Sequence, residues 1–399
     1  MIIHPQIQGC VARNCHPIGC RAAVMQQIAS VRAEGSFNGP KRVLVLGASS
    51  GFGLASRITL AFGAGAGAGA DTVGVSFERG PSDKGLGSAG WYNNIWFRKE
   101  AEQAGRIAVN LIGDAFSDAM RQQAIETIRQ QLGQVDLVIY SLASGIRVLA
   151  DGTQVRSVLK TTGQPFSGWG LDLEHDALVQ QSLAPATPEE IRDTVTVMGG
   201  EDWQLWMQAL QQADCLAPGA QTVAYSYIGP ESTYPLYRDG TIGYAKEHLH
   251  ATAETINLQL AEVGGHAWVS VCKALVTKAS AYIPVLPVYL GLLMGVMKER
   301  GVHEGCIEQM QRLFATKMYG PRGVVADGNR LIRMDDHELD PAIQAAVSAL
   351  WSKVTPDNFH ALGDFAGLRQ DFLQLNGFGL PGVDYGEPVS VASLTELMP

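Results

Sequence analysis

Tyr225, Tyr227, Tyr234, Tyr237 and Tyr244 crowd into a stretch of the chain that ends at Lys246. Any one tyrosine is ordinarily a packing residue, and a lysine at the start of a helix is ordinarily a surface residue. Together they point to chemistry. A tyrosine hydroxyl can hydrogen-bond a carbonyl whose oxygen gains negative charge during hydride transfer. A nearby ammonium favours tyrosinate, so it is expected to lower that tyrosine's pKa. The same ammonium can bond a nicotinamide ribose. One cluster would then both polarise a substrate and position a hydride donor.

A second constellation lies upstream. Gly47-Ala48-Ser49-Ser50-Gly51-Phe52-Gly53 follows the apolar run 42–46 and precedes an apolar helical pattern over 54–62. Glycines there let backbone amides approach a pyrophosphate, and the helix N-terminus adds unpaired N–H groups. A glycine pattern alone is also a tight turn, but the strand–loop–helix context is what a dinucleotide loop requires. Glu78 closes the next strand, over 72–77. An acid at that point bonds the adenosine ribose and repels a 2′-phosphate, which argues for NAD; Arg79 beside it could instead meet a phosphate. Asp114 and Leu142-Ala143 end the third and fourth strands, where ligands of open α/β sheets gather.

The elements that must position these residues alternate. Strands are expected over 42–46, 72–77, 106–111, 135–141, 221–227 and 268–272. Helices are expected over 19–33, 54–62, 117–132, 188–198, 202–213 and 247–263. Lys246 would thus open the last of these helices. Such alternation predicts an α/β fold with a doubly wound, Rossmann-like parallel sheet, carrying large insertions and terminal extensions. Length alone, at 399 residues, suggests two or three domains. The pattern instead reads as one enlarged domain over 1–399: an extension at 1–40, a cofactor and catalytic core at 41–280 with an insertion near 150–215, and a mainly helical part at 281–399. Residues 80–97 read as an irregular, glycine-rich segment with aromatics, and 150–185 as an excursion containing a hairpin.

Composition narrows the class. With 46% hydrophobic and 17% charged residues the chain is not generally disordered. A net charge of −9 without a basic stripe argues against a nucleic-acid partner. The most apolar stretch, 279–297, contains Pro284 and Pro287. It suits a buried or site-covering helix better than a membrane span. With no secretory pattern at the start, a cytoplasmic protein with reduced thiols is expected. Cys10, Cys15 and Cys20 are spaced too evenly for a usual zinc site, so no metal is expected and the N-terminal segment should simply pack.

The glycine loop resembles that of short-chain dehydrogenases/reductases. The usual Tyr-x3-Lys fails because position 242 is Ile242, and Tyr-x6-Lys fails because position 239 is Asp239. Tyr237 to Lys246 is Tyr-x8-Lys, with Tyr227 ten residues ahead. That spacing resembles the trans-2-enoyl-CoA/enoyl-ACP reductases of the FabV type, as do His16-Pro17, Gly90-Trp91-Tyr92-Asn93, Lys273-Ala274-Leu275-Val276-Thr277 and the closing Gly377-Phe378-Gly379.

The resemblance spans the chain. It implies NADH-dependent reduction of the double bond of a trans-2-enoyl thioester, carried on acyl carrier protein or CoA, as the last reductive step of fatty acid elongation. It implies Tyr237 as proton donor, Tyr227 at the thioester carbonyl and Lys246 on the cofactor ribose, although which tyrosine delivers the proton stays open. Residues 47–53, Phe77, Glu78, Asp114, Ala115, Leu142, Ala143, Leu275, Val276 and Thr277 would line NADH. A monomer is implied. Residues 282–297 would cover the substrate or serve as ordinary core. Lys84 and Arg98 are the candidates for a basic rim facing the anionic carrier. The competing readings are a carbonyl/alcohol oxidoreductase of the same fold and a non-catalytic NAD-binding regulator.

Overall fold

A computed structural model describes residues 1–82, 85–390, 394, 398 and 399. Seven parallel strands form its main sheet: β1 (Arg42–Leu46), β2 (Asp71–Ser76), β3 (Ala108–Ile112), β4 (Val135–Tyr140), β5 (Leu216–Ser226), β6 (His266–Val271) and β7 (Leu331–Arg333). Their spatial order is 3-2-1-4-5-6-7. The order reverses at β1, beside β4. That crevice is where a doubly wound sheet binds a dinucleotide.

Strands buried on both faces read as near-continuous apolar runs, and the central ones do. Leu44, Leu46, Val73, Val75, Val138 and Tyr140 face one layer. Val43, Val45, Leu137, Ile139 and Val223 face the other. The second layer is built by α1 (Pro17–Glu34), α2 (Gly51–Gly63) and α3 (Ala89–Gln103). The first is built by α4 (Asp118–Gln131), α6 (Glu201–Gln212) and α7 (Thr241–Leu260), with α5 (Pro188–Met198) preceding α6 in the chain. Local signals set several ends. Ser117 caps α4 by accepting from the Met120 amide, and Thr187 with Glu190 forms a capping box on α5.

The chain differs from the sequence expectation at four places. Helix α3 begins at Ala89, inside the segment read as irregular. The excursion after β4 holds two hairpins, Ile146–Val148 with Gln154–Arg156 and Phe166–Asp172 with Ala177–Leu183. Helix α7 begins at Thr241, so Lys246 sits within it and does not open it. A seventh strand, β7, extends the sheet past β6.

The apolar stretch forms α8 (Leu286–Glu299). It is buried nearly all round and packs against side chains from the C-terminal part, including Ile343, Phe365 and Phe372. Among the described residues no helix is long and apolar enough to cross a membrane. Cys15 and Cys20 pack with Trp91, Tyr92, Ile95 and Phe378, tying the N-terminal segment to α3 and to the C-terminal part.

Candidate active site

The glycine loop leaves β1 under tight constraint. Gly47 has φ +88°, and a Cβ there would lie 2.2 Å from the Ser141 carbonyl oxygen. A Cβ on Gly53 would lie 2.0 Å from the Gly47 oxygen. The loop therefore requires these glycines for closure against β4 and α2. Ser50 is the N-cap of α2 but makes no side-chain cap bond. Its first-turn amides are left to an incoming anion. A Cβ built on Gly51 would meet the Thr277 methyl at 3.6 Å, so the loops after β1 and β6 face each other across the crevice.

The other positions expected to line the cofactor lie just past the carboxyl ends of their strands. Glu78 is half-buried just past β2. Its carboxylate accepts from the Ser49 hydroxyl at 2.6 Å and from the Ser88 hydroxyl. Phe77 is 82% exposed, an aromatic face left open beside the crevice. Asp114 accepts from the Phe116 amide at 2.9 Å, just past β3, and Ala115 is buried behind it. Leu142 is half-buried and Ala143 exposed at the end of β4. Leu275 is buried, while Val276 and Thr277 are partly open. Thr277 and Ser280 exchange backbone-to-hydroxyl bonds at 2.9 and 3.0 Å, which fixes the turn.

Of the five tyrosines only two meet. The Tyr225 hydroxyl bonds Ser56 on α2 at 2.5 Å, inside the second helical layer. Tyr234 stacks under Arg238, and Tyr244 is exposed on α7. Tyr227 and Tyr237 lie edge to face with ring centroids 4.5 Å apart. Tyr227 stands immediately after β5. Tyr237 lies in the turn that precedes α7, with its amide bonded to the Thr233 carbonyl at 3.0 Å. The long spacing to Lys246 now has a cause. In Tyr-x3-Lys the two residues stand one helical turn apart on a shared face. Here the tyrosine precedes the helix, and the lysine faces back from within it.

Lys246 donates to the Tyr225 carbonyl at 3.2 Å, and burial lowers its pKa to about 8. One turn along α7, His250 bonds the Ser226 hydroxyl at 2.8 Å. Burial and the Lys246 charge bring its pKa down to about 4, so it is neutral near pH 7. The tyrosines do not follow the sequence expectation of a lowered pKa. Burial, then the charge of Glu338, pushes both Tyr227 and Tyr237 upward. Both are therefore protonated hydroxyls, able to donate.

Glu338 is the residue that the sequence reading missed. It is fully buried and joins three elements. It accepts from the Tyr227 hydroxyl at 2.7 Å, from the Tyr289 hydroxyl of α8 at 2.8 Å, and from the Ala274 amide at 2.6 Å. Burial raises its pKa in spite of these bonds. Lys273, also buried, lies close enough to stabilise its charge and donates to the Ala274 carbonyl at 3.0 Å. The only hint in the sequence was a lysine closing an apolar strand. Glu338 itself ends an acidic run, Asp335-Asp336-His337-Glu338, in a part of the chain expected to be mainly helical.

The hydroxyl of Tyr227 is thus committed to Glu338. That of Tyr237 has no hydrogen-bond partner among the described residues. Tyr237 borders a small apolar pocket whose walls include Phe166, Leu236, Ile283, Leu286 and Trp351. Of the two candidates for a basic rim, only Arg98 falls on described residues. Lys84 lies outside the described residues. Arg98 is engaged by Glu102 at 3.6 Å and by the carbonyl of Pro399 at 2.8 Å.

A reversing parallel sheet, a glycine loop before a helix and a tyrosine–lysine pair at one edge define a nicotinamide-dependent oxidoreductase of Rossmann type. The comparisons make this specific. Residues 85–319 match the family model described as the trans-2-enoyl-CoA reductase catalytic region. Residues 2–83 match its NAD(P)H binding domain. The chain belongs to this trans-2-enoyl-CoA reductase family. It is 56% identical over 402 residues to the enoyl-[acyl-carrier-protein] reductase [NADH] 2 of Photobacterium profundum, covering 100% of both chains. It is 49% identical over 401 residues to the trans-2-enoyl-CoA reductase [NADH] of Clostridium beijerinckii, again covering 100% of both. The crystal structure of Clostridium acetobutulicum trans-2-enoyl-CoA reductase in complex with NADH superimposes with a TM-score of 0.97, at 45% identity and 100% coverage of both chains.

Residues 326–389 match a model described as an enoyl reductase FAD binding domain. Their chemistry does not fit a flavin dinucleotide. Strand β7 is followed by Asp335 and Asp336 instead of a glycine loop, and both acids are held in ion pairs, with Arg333 and with Arg312 and Lys317. The apolar side chains of the segment, Ile343, Val347, Phe365 and Phe372 among them, pack into the core with α8.

Proposed function

We propose that this chain reduces the carbon–carbon double bond of trans-2-enoyl thioesters with NADH, the thioester being carried on CoA or acyl carrier protein. The observation that carries the reading is the Tyr237 hydroxyl, which has no hydrogen-bond partner among the described residues and borders an apolar pocket. When bound, NADH supplies the hydride that reaches the β-carbon of the enoyl group.

The residues of the chain do the rest. The amides of residues 47–53 and the α2 N-terminus receive the pyrophosphate. Glu78 accepts from the adenosine ribose, which favours NADH over its phosphorylated counterpart. Phe77, Asp114, Ala115, Leu142, Ala143, Leu275, Val276 and Thr277 wall the cofactor. Lys246 donates to the nicotinamide ribose. As charge develops on the thioester oxygen, Tyr237 donates a hydrogen bond to it, an interaction strongest in the transition state, and the enolate that results takes up a proton at its α-carbon to complete the reduction. Tyr237 is the better donor of the two tyrosines because the proton of Tyr227 is already given to Glu338. Tyr227 then acts as the wall against which Tyr237 is held. The apolar pocket receives the start of the acyl chain and excludes water. The six cysteines are free thiols, which suits action in the reducing cytoplasm.

The test is NADH oxidation with crotonyl-CoA against simple ketones, in the intact chain and in Tyr237→Phe. Turnover is expected with the thioester alone. The variant should bind NADH with unchanged affinity and lose at least about 100-fold in kcat, the scale of one general acid or oxyanion donor. Full turnover in Tyr237→Phe would remove Tyr237 from the reaction. Ketone reduction without thioester reduction would replace the substrate class.

A further inference from the structure

The geometry points to a phosphate site for the carrier arm of the thioester, an inference that rests on the enoyl thioester reading above. A cleft of about 210 Å³ opens between the N-terminal residues 10–14, the start of α3 and the loop carrying Lys278 and Tyr282. Three cations, Arg13, Arg79 and Lys278, line it together with Asn14 and Ser88, and among the described residues no carboxylate does. None of the three has an ion-pair partner among the described residues. Arg13 uses only its Nε, on Gln8 at 2.9 Å, so its terminal amino groups remain available. In a chain of net charge −9, three uncompensated cations facing one cleft form a local anion trap.

The placement fits the substrate. Tyr282 lines the cleft, and the next residue, Ile283, lines the apolar pocket beside Tyr237. A thioester with its acyl chain in that pocket would lead its pantetheine arm over this one loop into the cleft. The cofactor's own pyrophosphate already has the amides of residues 47–53 and needs none of these side chains. The ligand chemistry is therefore the phosphate of a phosphopantetheine arm, which CoA and acyl carrier protein share. Arg and Lys meet such a group by charge-assisted hydrogen bonds.

The experiment is steady-state kinetics of the intact chain and of Arg13→Ala/Lys278→Ala. The substrates are crotonyl-CoA, crotonyl-4′-phosphopantetheine and uncharged crotonyl-pantetheine, with the KM for NADH measured alongside. In the variant, KM for the phosphorylated thioesters should rise about tenfold or more. KM for crotonyl-pantetheine and NADH should stay within about twofold, and kcat should hold. Added salt should raise the KM of the intact chain for crotonyl-CoA and affect the variant less. A rise with crotonyl-CoA but not with crotonyl-4′-phosphopantetheine overturns the carrier-arm site and gives the cleft to the nucleotide end of CoA. An unchanged KM for crotonyl-CoA overturns the site, as does an equal rise with crotonyl-pantetheine. A rise confined to NADH overturns it too and gives the cleft to the cofactor. Failure of the intact chain on all three thioesters would sink the reductase reading itself and this site with it.

Discussion

At the residue scale, Lys246 carries a conflict that pH can expose. Its ammonium is proposed to donate to a ribose, yet burial lowers its pKa from 10.5 to about 8. Below pH 8 it is charged and donates; above pH 8 it loses a proton. Affinity for NADH should therefore fall as pH rises through about 8. The fold should not fail with it. Between pH 8 and 10.5 the unfolded chain holds the proton that the folded chain has released, so this group makes stability rise with pH in that window. Fluorescence titration of NADH from pH 7 to 9.5, with urea midpoints at the same values, separates the two trends. A Lys246→Arg variant should bind without the alkaline loss, because guanidinium stays charged. Flat affinity in the intact chain across this range would mean that the lysine does not hold the cofactor by charge. Lys246 and Tyr237 could be singled out from the sequence because type and spacing together are rare. Glu338 could not, because nothing in Asp335-Asp336-His337-Glu338 says which acid turns inward.

At the scale of elements, three-way contact at Glu338 couples the end of β5, the loop after β6 and helix α8. Sequence periodicity cannot report such a contact, because its members lie 111, 64 and 49 residues from Glu338. The start of α7 was hidden for a related reason. Gly240 and Gly243 read as loop, but a Cβ on Gly243 would lie 1.9 Å from the Arg238 carbonyl oxygen. Glycine is needed there for the Tyr237 turn to fold down onto its own helix. Strand β7 escaped because three residues at a sheet edge show no period. Glu338→Gln tests the coupling. Three donors converge on the carboxylate, whereas an amide offers one oxygen and turns two N–H groups toward the rest. The variant should lose about 1–3 kcal/mol of stability, read as a lower urea midpoint. It should also lose kcat, since Tyr227 and the cofactor loop are released together. A variant as stable and as active as the intact chain would show that the three elements are held in place without the carboxylate.

At the scale of the whole molecule, the alternation of strand and helix made the sheet readable, and the connections that cap it stayed obscure. Residues 150–185 and the C-terminal part have little period because their side chains answer to α8 and to the hairpins instead of to a regular face. These additions matter for assembly. They bury α8 within the chain, so the most apolar helix offers no face to a second copy. Among the exposed large apolar side chains, Phe77 and Tyr282 border the proposed cofactor and carrier sites. Val148, Val179 and Leu258 stand on two different hairpins and on α7. Such scattered residues are ordinary surface, whereas a stable homodimer needs one contiguous apolar patch. The sheet edges are also poor templates, since β3 has five residues and β7 three. The chain should therefore be a monomer. Light scattering on the purified protein at micromolar concentration should give a mass near the 42.7 kDa of one chain, independent of dilution. A mass near twice that value would require an interface built from polar surface or from the cleft itself. In that case the kinetics of the carrier arm would have to be measured again as a function of protein concentration.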